Sequence, residues 1–170
     1  PVWSKTLGIG SSLVWPVGEG AKGNDGVAQK VADTNGAIGY VEFIYAEKYH
    51  LTTVNLINHD GSLVSPNLES ASEAFAKSHW HKASFYQSAT DVTGTNSWPI
   101  VAISYVLMHK TKNDREDALQ TFRFLDWVYT NGQAIAKEAG YIYMSDPDLL
   151  KAINETLKQV KDNQGNFIVR

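Results

Sequence analysis

The sequence contains no cysteine. This absence excludes a disulfide framework, a thiolate metal site and a cysteine nucleophile. Long hydrophobic runs are lacking as well. The longest, from Ile100 to Met108, is interrupted by Ser104 and reaches about half of the roughly 20 residues that a membrane helix needs. The sequence therefore predicts no membrane span.

An excess of basic charge is also absent. Fifteen Lys and Arg residues face eighteen Asp and Glu residues, which gives a net charge of -3 and a pI near 5.9. Nucleic-acid binding normally needs a basic surface, so nucleic acid is not expected as a partner. With 170 residues and 43% apolar content the chain is expected to be globular, with one sizeable core or two small ones.

The sequence begins at Pro1 without an initiator methionine, a basic leader or an apolar leader segment. We therefore expect the chain to be a processed, truncated or cleaved product.

The first third of the chain predicts short strands around one helix. A strand is expected at Ser12–Trp15, and Asn24 or Asp25 can cap a helix that ends before Asn35-Gly36. The segment Ala37–Tyr45 is rich in β-branched and aromatic residues, which predicts a strand that runs into a helical turn through Ala46–Lys48.

The middle of the chain predicts a hairpin, a helix and a buried strand. Alternation over Thr52–Ile57 and the turn residues that follow predict a hairpin with Ser62–Val64. Ser65-Pro66 is typical of a helix start. The continuous apolar run Ile100–Met108 has strand length and predicts a central strand that is buried on both faces.

After residue 110 the pattern becomes helical. Asn113 or Asp114 can cap a helix with apolar residues at a spacing of three, which Asn131-Gly132 ends. A shorter helix is expected at Gln133–Glu138, and Asp146-Pro147 opens a last one that buries Leu150, Ile153, Leu157 and Val160. The predicted class is α/β or α+β.

A glycine-rich loop, Gly18–Gly26, carries Lys22 just before the first predicted helix. Such loops can cradle phosphate through backbone N–H groups. A Walker A loop, however, needs Ser or Thr after the lysine, and Gly23 stands there. A glycine-permitted turn with a helix cap is the favoured interpretation.

Two histidines, His79 and His81, could bind zinc if Glu73 or Asp91 came near. Two ligands do not make a site, and solvated histidines at a polar surface are the favoured interpretation.

Three acidic residues, Glu42, Asp126 and Glu138, could be imagined as paired catalytic carboxylates, although any folded domain offers such pairs. The sequence contains neither a Gly-x-Ser-x-Gly elbow nor an HExxH helix. The case for an enzyme is therefore weak, and we assign no catalytic residue, no metal site and no cofactor.

Several motifs point to one family. They begin with WPVGEGAKGNDG at Trp15–Gly26 and GAIGYVEFIYA at Gly36–Ala46. The others follow in the same order at Leu63–Pro66, Trp98–Ile100, Val106–Lys110 and Phe124–Trp127. With these motifs the chain resembles the C-terminal half of the periplasmic phosphate-binding proteins, the solute receptors of high-affinity phosphate ABC transporters.

The resemblance implies an α/β chain that is part of a two-lobed, type II periplasmic-binding-protein fold, with lobes joined by β-strand crossovers. Residues 1–100 would be the remainder of the second lobe. Residues 101–170 would supply a crossover strand, Ile100–Met108, and the C-terminal helices of the first lobe.

The same resemblance implies that the ligand residues lie outside this chain. The family holds phosphate with a motif of the type Arg-Ser-Asp-Gly-Ser-Gly-Thr, which would precede Pro1, so no residue here can be assigned as a phosphate ligand. A dianion needs many convergent donors to offset its desolvation. We therefore expect phosphate capture to require an N-terminal companion chain or segment.

The expected partners are inorganic phosphate and the permease of the transporter, and the expected location is periplasmic or extracellular. Two alternatives stay open. One is a phosphate-related or metal-dependent hydrolase that uses the Gly18–Gly26 loop and the His79/His81 pair, and the other is a secreted interaction module that has kept half of the receptor fold.

Overall fold

The computed structural model describes residues 2–10, 12–78, 85–112 and 114–169. The chain divides into two compact units, Pro1–Thr52 and Thr53–Arg170. The helices are α1 Val2–Thr6, α2 Gly23–Asp33, α3 Phe43–Lys48, α4 Leu68–Lys77, α5 Arg115–Asn131, α6 Gln133–Glu138 and α7 Pro147–Leu157. The strands are β1 Leu56–Ile57, β2 Leu63–Val64, β3 Thr111–Lys112 and β4 Lys161–Asp162. None of the helices described is both long and apolar enough to cross a bilayer.

Helix α2 is the centre of the first unit, and it confirms the helix predicted between Asn24 and Asn35. Its Ala28 is completely buried. The side-chain cap predicted at Asn24 or Asp25 is not formed: the N-cap residue is Lys22, and its side chain makes no capping hydrogen bond. The Oδ1 atom of Asn24 instead accepts a hydrogen bond of 2.9 Å from the backbone N–H of Glu42, which ties the following segment to the helix.

The strand predicted at Ala37–Tyr45 is wrong, since residues 37–42 form no strand and Phe43–Tyr45 already belong to α3. Helix α3 confirms the helical turn predicted through Ala46–Lys48. One side of this segment lies against α2, where a Cβ at Gly39 would be only 2.8 Å from Val31 Cγ2. The other side leaves Ile38 and Tyr40 84% and 81% exposed. A strand needs a neighbour for its backbone hydrogen bonds, and no described strand lies in this unit.

The strand predicted at Ser12–Trp15 is wrong for the same reason, because those residues form no strand ladder.

The second unit begins with the predicted hairpin, which is confirmed but shorter than expected. Strands β1 and β2 are antiparallel, with Leu56 opposite Val64. Helix α4 starts later than the Ser65-Pro66 signal indicates. Asn67 forms a capping box with Ser70, in which the Asn67 side chain accepts from Ser70 N at 2.8 Å.

The positions of the helices after residue 110 confirm the sequence prediction, but the predicted buried face of the last helix is shifted. Helix α7 ends at Leu157 and buries Leu149, whereas Leu150, Ile153 and Leu157 are half-buried and Val160 is buried beyond the helix end. Asp114 caps α5 by accepting hydrogen bonds from the backbone of Glu116 and Asp117 at 2.8 and 3.0 Å. Asp146 caps α7 in the same way. Helix α6 has the predicted bounds.

The core of this unit is a cluster of Ala118, Phe122, Val160 and Ile168, flanked by Met108, Leu119, Leu157 and Val169. Strands β3 and β4 pair in parallel beside it.

The buried central strand predicted at Ile100–Met108 is wrong. The segment is extended but forms no strand, and Ile100, Val106 and Leu107 are 67%, 66% and 92% exposed. Just before it, Asp91 N donates to Pro99 O at 2.9 Å, and within it Val101 O accepts from Thr90 Oγ1 at 3.4 Å, but these bonds form no strand ladder. The sequence pattern indicates burial, but the described residues provide no sheet in which to bury it. A mixed α and β chain is confirmed.

Candidate functional site

The glycine-rich loop Gly18–Gly26 runs into the N-terminus of α2. Lys22 is the residue just before the helix and is exposed. Glu19 pairs with Lys30 of the helix, and the hydrogen bond from this lysine lowers the pKa of the Glu19 carboxyl. The loop therefore carries a paired carboxylate three residues before Lys22 in the sequence.

A second carboxylate, Asp25, lies in the first turn of α2. The Lys48 ammonium donates to Asp25 Oδ1 at 2.6 Å and lies 5.1 Å from the centre of the Tyr49 ring. Hydrogen bonds from Lys48, and then from Tyr49, lower the pKa of Asp25. An acidic side chain in the first turn already interacts favourably with the helix N-terminus and would repel a further anion, so Asp25 favours the structural interpretation of the loop.

A buried polar cluster in the second unit joins the hairpin turn to the loop 91–98. Asn58 is 5% exposed, and its Nδ2 atom donates to the carbonyls of Gly94 at 2.7 Å and Ser97 at 3.2 Å. Its Oδ1 atom accepts from the backbone of Asp60 and Ser62. Asp60 Oδ2 in turn accepts from Gly94 N at 2.8 Å. One buried amide thus fixes both loops.

Helix α4 extends this cluster. Ser97 is completely buried and donates through Oγ to Thr93 O at 3.0 Å. Trp98 N donates to the carbonyl of Ser70 in α4 at 3.0 Å. No buried side-chain nitrogen or oxygen among the described residues lacks a hydrogen-bond partner. These polar groups are therefore committed to the fold and leave no buried donor free to hold an anion.

The histidines do not assemble a metal site in the part of the chain that the structure describes. His79 and His81 lie outside the described residues, so the zinc prediction stays a prediction. The two carboxylates proposed as further zinc ligands each contact another residue. Glu73 Oε1 accepts a hydrogen bond from Asn96 N at 3.4 Å, and Asp91 Oδ2 is 3.6 Å from His59 Nδ1. The described residues hold no group of three His, Asp or Glu side chains that could bind a metal ion.

The three acidic residues considered for catalysis are all exposed. Glu42 precedes α3 in the first unit, whereas Asp126 and Glu138 lie on α5 and α6 of the second. A catalytic acid of this kind is typically held in a buried site, and none of the three is buried. The structure therefore gives no support to a catalytic carboxylate pair.

Sequence reasoning missed a polar cluster at the start of α5. The Arg115 guanidinium donates through Nη1 to Phe167 O at 2.8 Å and through Nη2 to Ile168 O at 3.1 Å. Asp162 accepts from the backbone of Asn166 and Gln164, and the N–H of Asn166 is the main cause of its lowered pKa. No local sequence pattern predicts this contact, because Arg115 and Ile168 are 53 residues apart.

No protein-family model matches the chain. It is similar to the phosphate-binding protein PstS of Pasteurella multocida, with 35% identity over 98% of this chain and 48% of that protein. The PstS proteins of Haemophilus influenzae and Xylella fastidiosa Temecula1 are each 38% identical, over 82% and 89% of this chain and 42% of their own length. The chain thus spans somewhat less than half the length of the curated relatives it matches.

Proposed function

Because the chain belongs to the family of PstS phosphate-binding proteins over almost all of its length, we propose that it is part of a solute receptor that captures inorganic phosphate for an ABC transporter. The observation that supports this proposal is the sequence identity of 35–38% to three such proteins over 82–98% of the chain. The role is binding and delivery, without a catalytic step.

The phosphate ligands come from an N-terminal companion chain or segment. This assignment rests on the chain spanning 48% of its Pasteurella relative. It also rests on the polar chemistry of the described residues, whose buried side-chain donors and acceptors are already paired. A phosphate dianion taken out of water needs several convergent donors, so this chain alone is expected to bind it weakly.

The receptor has two lobes, with residues 1–100 completing the second lobe and residues 101–170 contributing a crossover strand and helices to the first. Two extended segments support this assignment. Residues 37–42 and 100–107 have strand-like sequences, no described strand neighbour and exposed apolar side chains such as Tyr40 and Leu107, 81% and 92% exposed. Strands from the companion would pair with them and cover those side chains.

Titration calorimetry tests the proposal with two proteins. One is this chain alone, and the other is a fusion in which the part of the Pasteurella multocida relative that this chain does not match precedes Pro1. We expect the fusion to bind phosphate with a micromolar or lower Kd and the isolated chain to release no measurable heat. Sulfate serves as the control anion.

Two results contradict the proposal. Micromolar phosphate binding by the isolated chain places the ligands in these 170 residues, and a folded fusion that binds no phosphate removes the receptor role. Lys22→Ala in the fusion tests whether the glycine-rich loop takes part in binding. Lys22 is exposed and the proposal places the phosphate ligands outside this chain, so the phosphate Kd is expected to stay unchanged.

The location and the onward partner follow from the receptor role. A receptor that delivers a solute to an importer works on the outer side of the cytoplasmic membrane, so we place it in the periplasm or outside the cell. Its onward partner is the permease of the transporter.

A further inference from the structure

Helix α5 carries apolar side chains on two opposite faces. One face packs into the core, where Ala118, Phe122 and Leu125 are 1%, 7% and 8% exposed. On the other side Phe124 and Trp127 are 62% and 49% exposed. We refer to these two side chains as the Phe124–Trp127 face.

The helical repeat explains this arrangement. At about 100° per residue, Phe124 and Trp127 project within about 60° of each other, and Trp127 lies about 140–160° round the helix from Phe122 and Leu125. Phe124 and Trp127 give α5 a second apolar stripe away from the core, and an apolar stripe on a helix is normally covered by a packing partner. Exposed aromatic side chains that lie next to each other on a surface are typical of a protein interface.

On the premise of the proposed function, we infer that the Phe124–Trp127 face is the surface on which the companion polypeptide docks. The Pasteurella relative contains about as much polypeptide again as the part that this chain matches, which is 48% of its length. The companion polypeptide needs an apolar surface on this chain against which to pack, and α5 offers the exposed aromatic pair Phe124 and Trp127.

The charge of α5 argues against a lipid surface as the occupant. Helices that bind membranes carry Lys and Arg on their polar side. Helix α5 carries two arginines but three acidic residues, Glu116, Asp117 and Asp126. A protein surface of apolar chemistry therefore suits this face better than a membrane of anionic lipid.

Thiol labelling tests the docking directly, because the chain has no cysteine of its own. Phe124→Cys places a thiol on the proposed face, and Asp126→Cys places one at an exposed position on another side of the same helix. Each variant is made in the isolated chain and in the fusion described above. Alkylation at the introduced cysteine is followed by peptide mass spectrometry.

We expect both thiols to react at similar rates in the isolated chain. In the fusion, alkylation at position 124 is expected to slow by about tenfold or more, as for a site that reacts only after local opening, while position 126 stays reactive. Equal reactivity at both positions in the fusion overturns the docking surface. Protection at position 124 that grows with the concentration of the isolated chain also overturns it, since the occupant is then a second copy.

The two proposals fail separately. Protection at position 124 in a fusion that binds no phosphate supports the docking surface and contradicts the receptor role. Phosphate binding without protection at position 124 supports the receptor role and contradicts the docking surface. The double variant Phe124→Ser/Trp127→Ser provides a second readout. Serine has nearly the helix propensity of Phe and Trp, so we expect a lower unfolding midpoint in the fusion and little change in the isolated chain.

Discussion

Gly94 is the position where a single added methyl group is expected to disturb the second unit most clearly. Its φ of +133° is a conformation that side chains rarely adopt. A Cβ there would overlap Ser97 Oγ and lie 2.9 Å from Glu73 Oε1. The residue also donates its N–H to Asp60 and accepts from Asn58, so it cannot move without breaking the buried polar cluster.

The magnitude has two parts. The backbone strain of a non-glycine residue in such a region is about 1–3 kcal/mol. Crowding of a packed site adds about 1–3 kcal/mol. Gly94→Ala is therefore expected to lower the free energy of unfolding by about 2–6 kcal/mol, a large share of the roughly 5–15 kcal/mol that stabilises a typical domain.

Urea unfolding followed by far-UV circular dichroism measures this change, and Gly61→Ala is the matched control. Gly61 also has a positive φ, +80°, but nothing lies within 4 Å of its missing Cβ. The control is expected to lose only about 1–2 kcal/mol of backbone strain. Equal losses in the two variants would refute the reasoning, because they would show that Ser97 and Glu73 do not confine position 94.

Three further changes test the C-terminal contact and one helix cap. Arg115→Met removes both guanidinium hydrogen bonds to residues 167 and 168 and is expected to cost about 1.5–3 kcal/mol in urea unfolding; a loss below that range, or a wild-type midpoint, contradicts the contact. The lowered pKa of Asp162 means that its charged form stabilises the fold. This stabilisation is present above pH ~4 and lost as the pH falls through the folded pKa, so midpoints measured at pH 7 and pH 3 are expected to differ less in Asp162→Asn. Asn67→Ala removes the capping box of α4 and is expected to cost about 1 kcal/mol, with Glu69→Ala as the exposed control in the same helix.

The helices after residue 110 could be predicted because their signals are local. Asp114 supplies the cap of α5, and apolar residues at a spacing of three supply its buried face. A helix forms its hydrogen bonds within itself, so a sequence window contains the information that fixes it. The same reasoning placed Asp146 at the start of α7.

The strands could not be predicted in the same way, because a strand depends on its neighbours. The pattern of Ile100–Met108 indicates burial, yet it cannot state which residues would cover it. The strand prediction for residues 37–42 was wrong for the same reason. The hairpin prediction was confirmed because β2, the partner of β1, follows it after a short turn. The contact between Arg115 and the backbone of Ile168 could not be predicted for a similar reason, since the two residues are 53 positions apart in the sequence.

The position of Val160 and Ile168 in the core has a consequence during synthesis. These two side chains complete the cluster around Ala118 and Phe122, and Arg115 binds the backbone beside them. Until residues 160–168 have been made, the buried face of α5 lacks the two side chains that complete its cover. The nascent chain must therefore hold an uncovered aromatic side chain until the last segment emerges, and this interval is when a chaperone or an aggregating neighbour can capture it.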